Sequence, residues 1–289
     1  MRSLLFVPGD SDKKLDKGLS SGADALIIDL EDSVSLDRKA AARDTALAFL
    51  QGAKRGGQKL LVRVNALDTG LTDDDLDAVV AGRPDAIMLP KAAGGVSVTH
   101  LHAKLSAREA IAGLPDGEIA IVPLATETAA SLFTTGTYPD CSPRLAALTW
   151  GAEDLSAELG AETNRDENGR FLDPYRLART LCLAGAAAAG VPAIDTVYVD
   201  FRNDAGLRRE CEEARRDGFT AKLAIHPAQV AAINDVFTPT PEAIAHAQRI
   251  VDAFAAQPGA GVVGIDGKMY DRPHLVRAKA LLAKANKAG

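Results

Sequence analysis

Residues 25–34 read Ala-Leu-Ile-Ile-Asp-Leu-Glu-Asp-Ser-Val, an apolar run that ends in a group of acids. Its almost continuous apolar character is typical of a parallel strand buried on both faces, where strict alternation with polar residues is not needed. The stretch therefore predicts a buried strand whose carboxyl end carries ionisable side chains.

Seven similar runs recur along the chain, each followed by a turn and by a stretch with helical periodicity. The eight predicted strands are 3–7, 25–30, 59–64, 86–89, 119–124, 145–150, 196–199 and 222–225. Eight such units favour a closed (β/α)8 TIM barrel over an open doubly wound α/β sheet. The turn after the first strand, Pro8-Gly9-Asp10-Ser11, lacks the glycine pattern expected of a dinucleotide site in such an open sheet. A length of 289 residues suits one barrel-sized domain as well as two small ones.

A proline-rich break separates the barrel from the end of the chain. Thr238-Pro239-Thr240-Pro241 follows the eighth unit, and the sequence after it predicts a helix over 242–256, a glycine-rich segment and a last helix. We therefore expect a barrel domain over residues 1–237 and a C-terminal helical cap over residues 238–289. Because so short a segment buries little surface by itself, we expect it to pack on the barrel or on a neighbouring subunit.

Composition narrows the class of protein and its compartment. A formal net charge of −6 argues against a nucleic-acid partner, and the chain has no apolar run long enough to predict a membrane span. The three cysteines, Cys141, Cys182 and Cys211, include no C-x-x-C pair, so neither a disulfide framework nor a zinc site is expected. The N-terminus does not resemble a signal peptide. These features predict a cytoplasmic protein.

Ionisable side chains follow the predicted strands, where barrel enzymes place their catalytic groups. The strand ends carry the acids Glu31, Asp32, Glu127, Asp154 and Asp200 and the cations Arg63 and Lys91. We expect most of these side chains to converge at one mouth of the barrel.

Acids without histidine or thiolate partners point to a hard cation that prefers oxygen ligands, and Mg²⁺ is the expected cofactor. Glu127 and Asp154, which follow neighbouring strands, are the predicted metal ligands, and Glu127 is also a candidate to contact substrate. The alternative is that each acid forms a salt bridge with Arg63 or Lys91, or caps the helix that follows it.

The two cations have different expected roles. Arg63 is the candidate to bind a carboxylate or enolate oxygen, because its planar guanidinium holds developing negative charge without losing a proton. A structural ion pair with Glu31 or Asp32 is the alternative. Lys91 would need a site that lowers its pKa to act as a nucleophile. Among so many carboxylates we expect it instead to bind substrate or support the site electrostatically.

An ordered series of motifs resembles the citrate lyase beta-subunit and malyl-CoA lyase family. The motifs, in chain order, are Arg2-Ser-Leu-Leu-Phe-Val-Pro-Gly-Asp10, Asp29-Leu-Glu-Asp-Ser-Val34, Val62-Arg-Val-Asn65, Leu89-Pro-Lys91, Glu127-Thr-Ala129, Trp150-Gly-Ala-Glu-Asp-Leu155, Ala224-Ile-His-Pro227 and Asp266-Gly-Lys-Met-Tyr-Asp271. Each motif alone is a weak signal, whereas the complete series from residue 2 to about residue 275 is specific.

The resemblance implies a Mg²⁺-dependent TIM-barrel enzyme, a homotrimer or hexamer, that acts on β-hydroxyacyl thioesters of coenzyme A or of an acyl carrier. It implies metal binding by Glu127 and Asp154 and contact of Arg63 with the thioester or 2-keto acid. Asp271 resembles an acid that the cap offers to a neighbouring active site, although Asp266 is close by in the same segment. Arg2 lies in the segment that resembles the part of the family near the thioester.

The expected reaction is cleavage or formation of the bond between the hydroxyl-bearing carbon and the carbon next to the thioester. Citramalyl-, malyl- and citryl-CoA are the candidate substrates, with acetyl-CoA and a 2-keto acid as products. Glu31 and Asp32 are further candidates for proton transfer, which a carboxylate performs well when it lies beside the reacting oxygen. Two alternatives remain open: a malyl-CoA thioesterase on the same scaffold, and the lyase component of a citrate lyase complex.

Overall fold

Eight parallel strands form the main sheet of the computed structural model, which describes residues 1–288. They are β1 (Ser3–Pro8), β2 (Ala25–Asp29), β3 (Lys59–Arg63), β4 (Ala86–Leu89), β5 (Ala120–Pro123), β6 (Leu148–Thr149), β7 (Ala193–Asp195) and β8 (Ala221–Ala224). Short apolar strands of this kind need both faces covered, which is what the surrounding helices provide.

The strands follow one another around a nearly closed barrel. Hydrogen-bonded neighbours run in the order β5-β4-β3-β2-β1-β8-β7-β6. The two end strands meet through parallel bridges between Ile121 and Leu145 and between Leu124 and Thr149. The predicted TIM-barrel fold is therefore confirmed.

Apolar side chains that alternate along the strands fill the inside of the barrel. The inner cluster contains Leu4, Ala25, Ile27, Leu61, Ala86, Met88, Val122, Leu124, Ala147, Ile194, Ala221 and Leu223. Because successive side chains of a strand point to opposite faces, the inward series of β2 continues from Ala25 and Ile27 to Asp29. The inward series of β3 continues from Leu61 to Arg63 in the same way. The fold thus carries these two charged residues to the carboxyl end of the barrel.

Ten α-helices lie within residues 1–288. They are α1 (Asp12–Leu19), α2 (Lys39–Gly52), α3 (Thr72–Val79), α4 (Gly95–Ile111), α5 (Ala152–Glu158), α6 (Asp173–Ala188), α7 (Asp204–Asp217), α8 (Val230–Phe237), α9 (Pro241–Ala256) and α10 (Arg272–Ala288). No helix in this described part of the chain has the length and apolar character required to span a membrane.

The position of the seventh strand differs from the sequence-based expectation. Residues 196–199 were expected to form it, but β7 is Ala193–Asp195 and ends before that run begins. Asp195 can lie in a buried strand because Lys222 of β8, its partner in register, neutralises it at 2.9 Å. Asp200 was expected at the strand end and instead lies in an exposed loop beyond β7, so its convergence with the other acids stays a prediction.

The chain divides into two compact units, Met1–Asn234 and a second unit from Asp235 onward. The second unit contains α9, α10 and an antiparallel hairpin that the sequence did not predict, formed by β9 (Val262–Ile265) and β10 (Lys268–Asp271). Asp266 and Gly267 form its turn with positive φ angles of 52° and 72°, a combination that Asp-Gly adopts readily. The expected domain limits at residues 237 and 238, and the packing of the second unit as a cap, stay predictions.

Candidate active site

Charged side chains from five strand ends gather at the carboxyl end of the barrel. We call this group the mouth cluster, which consists of Asp29, Glu31, Asp32, Arg63, Lys91, Glu127 and Asp154. The mouth cluster thus brings together the predicted residues Glu31, Asp32, Arg63, Lys91, Glu127 and Asp154.

Arg63 and Asp29 form the most completely hydrogen-bonded ion pair of the mouth cluster. They end β3 and β2 and are partners in strand register. Nε of Arg63 donates to Oδ1 of Asp29 at 2.7 Å and Nη2 donates to Oδ2 at 2.8 Å, while the guanidinium lies 4.8 Å from the ring centre of Phe6. Burial opposes ionisation of Asp29, but Arg63 outweighs it and holds the pKa of Asp29 below its ordinary value. Sequence reasoning gave Asp29 no role, although its inward position in β2 was a usable signal.

Glu31 and Asp32 lie beside the third nitrogen of the same guanidinium. Nη1 of Arg63 is 3.1 Å from Oε2 of Glu31, an ion pair without hydrogen-bond geometry, and 3.7 Å from Oδ2 of Asp32. The ion pairs expected as an alternative role for Arg63 are thus present. Glu31 is 6% exposed, and burial raises its pKa, with Arg63 and Lys91 offsetting only part of that effect. A carboxylate whose pKa is raised in this way is a better proton acceptor than an ordinary carboxylate.

Lys91 connects three of the acids. Nζ donates to Oε1 of Glu31 at 2.6 Å and lies 3.2 Å from Oδ1 of Asp154, while the backbone N–H donates to Oε2 of Glu127 at 2.7 Å. Burial alone would lower the pKa of Lys91, but Glu31 and Asp154 reverse the effect and raise it. The amine is therefore protonated, which agrees with the expected electrostatic role and disfavours a Schiff base.

Glu127 follows β5 and is buried, with 3% of the residue exposed. Burial raises its pKa to about 8, with the backbone N–H of Lys91 opposing the shift and the charge of Asp154 adding to it. Gly151 provides the space for this side chain, because a Cβ there would lie 2.8 Å from Oε1 of Glu127 and 2.9 Å from its Cγ. The space that Glu127 occupies therefore explains why the second position of the Trp150–Leu155 motif is a glycine.

Glu127 and Asp154 fit the ligand set that Mg²⁺ uses. Mg²⁺ is usually bound by one or two carboxylates, with water and substrate completing its shell. Among residues 1–288, no group of three or more His, Cys, Asp or Glu side chains is arranged to hold a metal by itself. The acids of the mouth cluster outnumber its two cations, and the charges of Asp154 and Glu31 add to the effect of burial in raising the pKa of Glu127. A divalent cation would compensate this excess of negative charge.

Hydrogen bonds beneath the mouth cluster fix the backbone that carries Glu31. Nζ of Lys39 donates to the carbonyl oxygens of Leu30 at 2.6 Å and Glu31 at 2.7 Å. Nδ2 of Asn65 donates to the Leu30 carbonyl at 3.1 Å and to Oδ2 of Asp75 at 2.7 Å. Sequence reasoning missed Lys39 and Asp75, because nothing in their local pattern distinguishes them from surface helix residues.

The position of Arg2 differs from the one expected of a substrate-binding residue. Arg2 precedes β1 and so lies at the amino end of the barrel, away from the strand ends that carry the mouth cluster. Nη2 of Arg2 donates to Oδ1 of Asp24 at 2.7 Å and Nε donates to Oδ2 at 3.0 Å. The expected contact of Arg2 with substrate is therefore wrong, and the geometry assigns it a structural ion pair.

Asp271, the candidate cap acid, belongs to the second unit. It ends β10, and Nδ1 of His274 lies within hydrogen-bond distance of its Oδ1, which lowers the pKa of Asp271. Asp266 lies in the hairpin turn and pairs with Nη2 of Arg249 at 2.6 Å. The choice of Asp271 over Asp266 stays a prediction.

Known proteins share both the fold and the length of this chain. The (3S)-malyl-CoA thioesterase of Cereibacter sphaeroides is 38% identical over 98% of this chain and 94% of its own length. Citrate lyase subunit beta of Escherichia coli K12 is 36% identical over 100% of this chain and 94% of its own length. The structure of CitE from Mycobacterium tuberculosis in complex with magnesium, acetoacetate and coenzyme A is 30% identical, with a TM-score of 0.79, and the match covers 99% of this chain and 98% of that one.

Two family models cover the chain between them. The model described as HpcH/HpaI aldolase/citrate lyase matches residues 2–227, and a model described as a C-C bond lyase of the TIM-barrel fold matches residues 170–289. These descriptions confirm the predicted enzyme class, a carbon–carbon lyase, and the predicted resemblance. The chain belongs to the HpcH/HpaI aldolase/citrate lyase family.

Proposed function

We propose that the protein is a Mg²⁺-dependent lyase that cleaves or forms the carbon–carbon bond of a β-hydroxyacyl-CoA thioester. The observation that carries the proposal is the mouth cluster, in which acids surround one arginine and one lysine at the catalytic end of a barrel. The candidate substrates are citramalyl-, malyl- and citryl-CoA, and the products are acetyl-CoA and a 2-keto acid.

Glu127 and Asp154 are the proposed holders of the cation. Mg²⁺ bound there would supply Lewis-acid polarisation of the substrate's carboxylate and hydroxyl oxygens. The protein's part is to keep the two carboxylates in place, which Lys91 does from its backbone N–H and its ammonium group. The magnesium in the CitE structure supports Mg²⁺ as the cofactor.

Cleavage begins with removal of the proton from the substrate hydroxyl. Glu31 is the proposed acceptor, because it is buried between Arg63 and Lys91 and burial raises its pKa. The electron pair left on oxygen forms the carbonyl of the 2-keto acid, and the carbon–carbon bond breaks. Its electrons pass to the carbon next to the thioester and generate the thioester enolate.

Arg63 is proposed to stabilise that enolate. Asp29 and Glu31 contact three of its nitrogens but leave N–H groups on Nη1 and Nη2 for a substrate oxygen. The ion pair with Asp29 fixes the guanidinium before the charge develops, which is the condition under which such a donor lowers a barrier most.

Asp271 is proposed to return a proton to the enolate carbon and complete acetyl-CoA. It would reach a barrel mouth as part of the cap, either in its own subunit or in a neighbour. We propose a homotrimer or hexamer, which analytical ultracentrifugation would identify. The three free thiols, Cys141, Cys182 and Cys211, support a reducing compartment, and we propose the cytoplasm.

A thioesterase is the second candidate, supported by the 38% identity to a protein named (3S)-malyl-CoA thioesterase. In that reaction water attacks the thioester carbonyl, and the carbon–carbon bond survives. The lyase component of a citrate lyase complex is a third, supported by the likeness to citrate lyase subunit beta.

A panel of thioesters separates these functions. Malyl-, citramalyl- and citryl-CoA are incubated with the protein, with and without Mg²⁺, and the products are identified by chromatography. The proposal expects acetyl-CoA and a 2-keto acid in the presence of Mg²⁺. Free coenzyme A with the intact hydroxy acid would establish the thioesterase instead, and turnover of only an acyl-carrier thioester would establish the complex component.

A further inference from the structure

The amino end of the barrel, opposite the mouth cluster, contains a cavity of about 740 Å³. Its apolar lining includes Leu61 of β3 and Val122 of β5, which belong to the inner cluster of the barrel. The cavity therefore opens from the protein surface into the barrel interior, at the end opposite the mouth cluster.

Small residues explain why this end of the barrel is open. Barrel interiors are usually filled by layers of bulky branched side chains. Here the lowest inward positions of β4 and β5 are Ala86 and Ala120, which are direct partners in register, and Ala147 stands before β6. All three line the cavity. Three neighbouring methyl side chains leave the space that larger residues would occupy.

The rim of the cavity carries an excess of positive charge. Its ionisable lining residues are the cations Arg55, Lys59 and Arg83 and the acids Asp85 and Glu118. Arg83 is balanced by Glu118 at 2.8 Å. Arg55 and Lys59 share one carboxylate, that of Asp85, at 3.2 Å and 2.7 Å. Among these side chains, three cations and two acids leave one uncompensated positive charge at the Arg55–Lys59 side, and the amino group of Met1, which also lines the cavity, does not offset it.

We infer that this cavity is a second binding site, for a small amphipathic carboxylic acid with an apolar chain. The carboxylate would pair with Lys59, whose side chain is 56% exposed at the rim and can turn toward a ligand. The chain would lie on Leu61, Val122 and the three alanines. A volume of about 740 Å³ lies within the range of about 300–1,000 Å³ that small-molecule sites occupy, and such sites combine an apolar lining with few polar groups.

The positive charge of the rim favours a ligand with a negative charge. A carboxylate supplies negative charge that the rim lacks, whereas an amine would add to its positive charge. A neutral alcohol of equal chain length would gain the apolar contacts alone. The site is independent of the proposed lyase chemistry, because it shares no residue with the mouth cluster.

Octanoate, octanol and octylamine are the probes, titrated into the full-length protein in an isothermal calorimeter. Binding should be tightest for octanoate, weaker for octanol and undetectable for octylamine. Lys59→Met keeps the apolar stem of the side chain and should weaken octanoate binding about tenfold while leaving octanol unchanged. Ala120→Leu fills the cavity and should abolish binding of both.

Arg63→Lys, altered at the opposite end, is the matched control and should bind octanoate as the wild type does. Lyase turnover should be unchanged in Lys59→Met. The inference is overturned if octanoate does not bind, if octylamine binds equally well, if Lys59→Met has no effect, or if Arg63→Lys removes binding. If Ala120→Leu fails to fold, Lys59→Met still decides the outcome.

Discussion

Arg63 contacts three carboxylates while lying over an aromatic ring, so the position of its guanidinium is set by several neighbours at once. Asp29 accepts two hydrogen bonds from it, Glu31 and Asp32 lie at its third nitrogen, and Phe6 packs against its face. A lysine at this position supplies a charge but no planar fork, so it cannot reproduce the bidentate contact. At the residue scale, catalysis is therefore expected to depend on this geometry as well as on charge.

Arg63→Lys should retain the fold and lose about 10²–10³ in kcat, as the removal of a preorganised donor to developing negative charge typically does. Steady-state kinetics with the preferred thioester measures the loss, and circular dichroism at the assay temperature verifies folding. Arg2→Lys, at the other end of the barrel, is the control and should keep wild-type kcat. Wild-type turnover in Arg63→Lys would contradict the assigned role.

The ion pair between Asp29 and Arg63 should make the stability of the fold depend on pH. Arg63 holds the folded-state pKa of Asp29 below the ordinary value, so its contribution is fully present above the unfolded-state pKa of about 4. That contribution is lost as the pH falls through the folded-state pKa. Asp29→Asn should therefore reduce the free energy of unfolding at neutral pH by about 3–5 kcal/mol, as expected when one partner of a buried ion pair is removed.

Denaturant titrations of the wild type and Asp29→Asn from about pH 7 down to about pH 3 measure this difference. The difference in free energy of unfolding between the two proteins should become smaller as the pH falls below about 4. If this difference stayed constant over the whole pH range, ionisation of Asp29 would not contribute to the stability of the fold.

At the element scale, β7 and β8 show how a charged strand can be buried. Nζ of Lys222 donates to Asp195 at 2.9 Å and to Glu210 of α7 at 2.8 Å, and Asp195 also accepts from Nε1 of Trp150 at 2.8 Å and Nε of Arg179 at 3.2 Å. This network faces the helices and lies outside the inner cluster. It joins two strands to α6 and α7.

Lys222→Met should lower the free energy of unfolding by about 3–5 kcal/mol, because it leaves buried carboxylates without their ammonium partner. Urea denaturation measures the change. Lys59→Met is the matched control, since Lys59 is a strand lysine in an exposed ion pair and should cost at most about 1 kcal/mol. Equal effects of the two substitutions would show that the buried network contributes no more than a surface pair.

The same elements show how far sequence reasoning reaches. Apolar strands with acids at their ends were sufficient to predict the barrel and most of the mouth cluster, because parallel strands place their carboxyl ends on one edge. Strand seven was misplaced because residues 196–199 are β-branched and aromatic while Asp195 is charged. Its burial depends on Lys222, 27 residues away. Arg2 was misassigned because its motif resembles the family's segment near the thioester, although a residue that precedes β1 lies at the amino end of the barrel.

At the scale of the whole molecule, the barrel unit contains the mouth cluster and the second unit contains Asp271. The second unit has its own apolar core of Ala247, Ile250, Phe254, Val263 and Ala278. Asp271 lies beside His274 at the point where β10 meets α10. A proton donor on a separate unit would let a neighbouring subunit complete the site.

Complementation tests that arrangement. Asp271→Ala and Arg63→Ala should each be inactive, and co-expression of the two should restore about a quarter of wild-type activity if each site combines residues of two subunits mixed at random. Asp266→Ala is the control and should be active alone. Complete absence of activity in the mixed oligomer would mean that both residues act within one subunit or that Asp271 has no role.

Magnesium binding at the mouth cluster is the claim on which the proposed chemistry depends most. Isothermal titration calorimetry of Mg²⁺ into the wild type, Glu127→Gln and the control Glu118→Gln tests it, since Glu118 lies at the opposite end of the barrel. The account predicts Mg²⁺ binding by the wild type and Glu118→Gln, at least about tenfold weaker binding by Glu127→Gln, and loss of turnover in EDTA. Equal Mg²⁺ affinity in Glu127→Gln, or full turnover in EDTA, would contradict it.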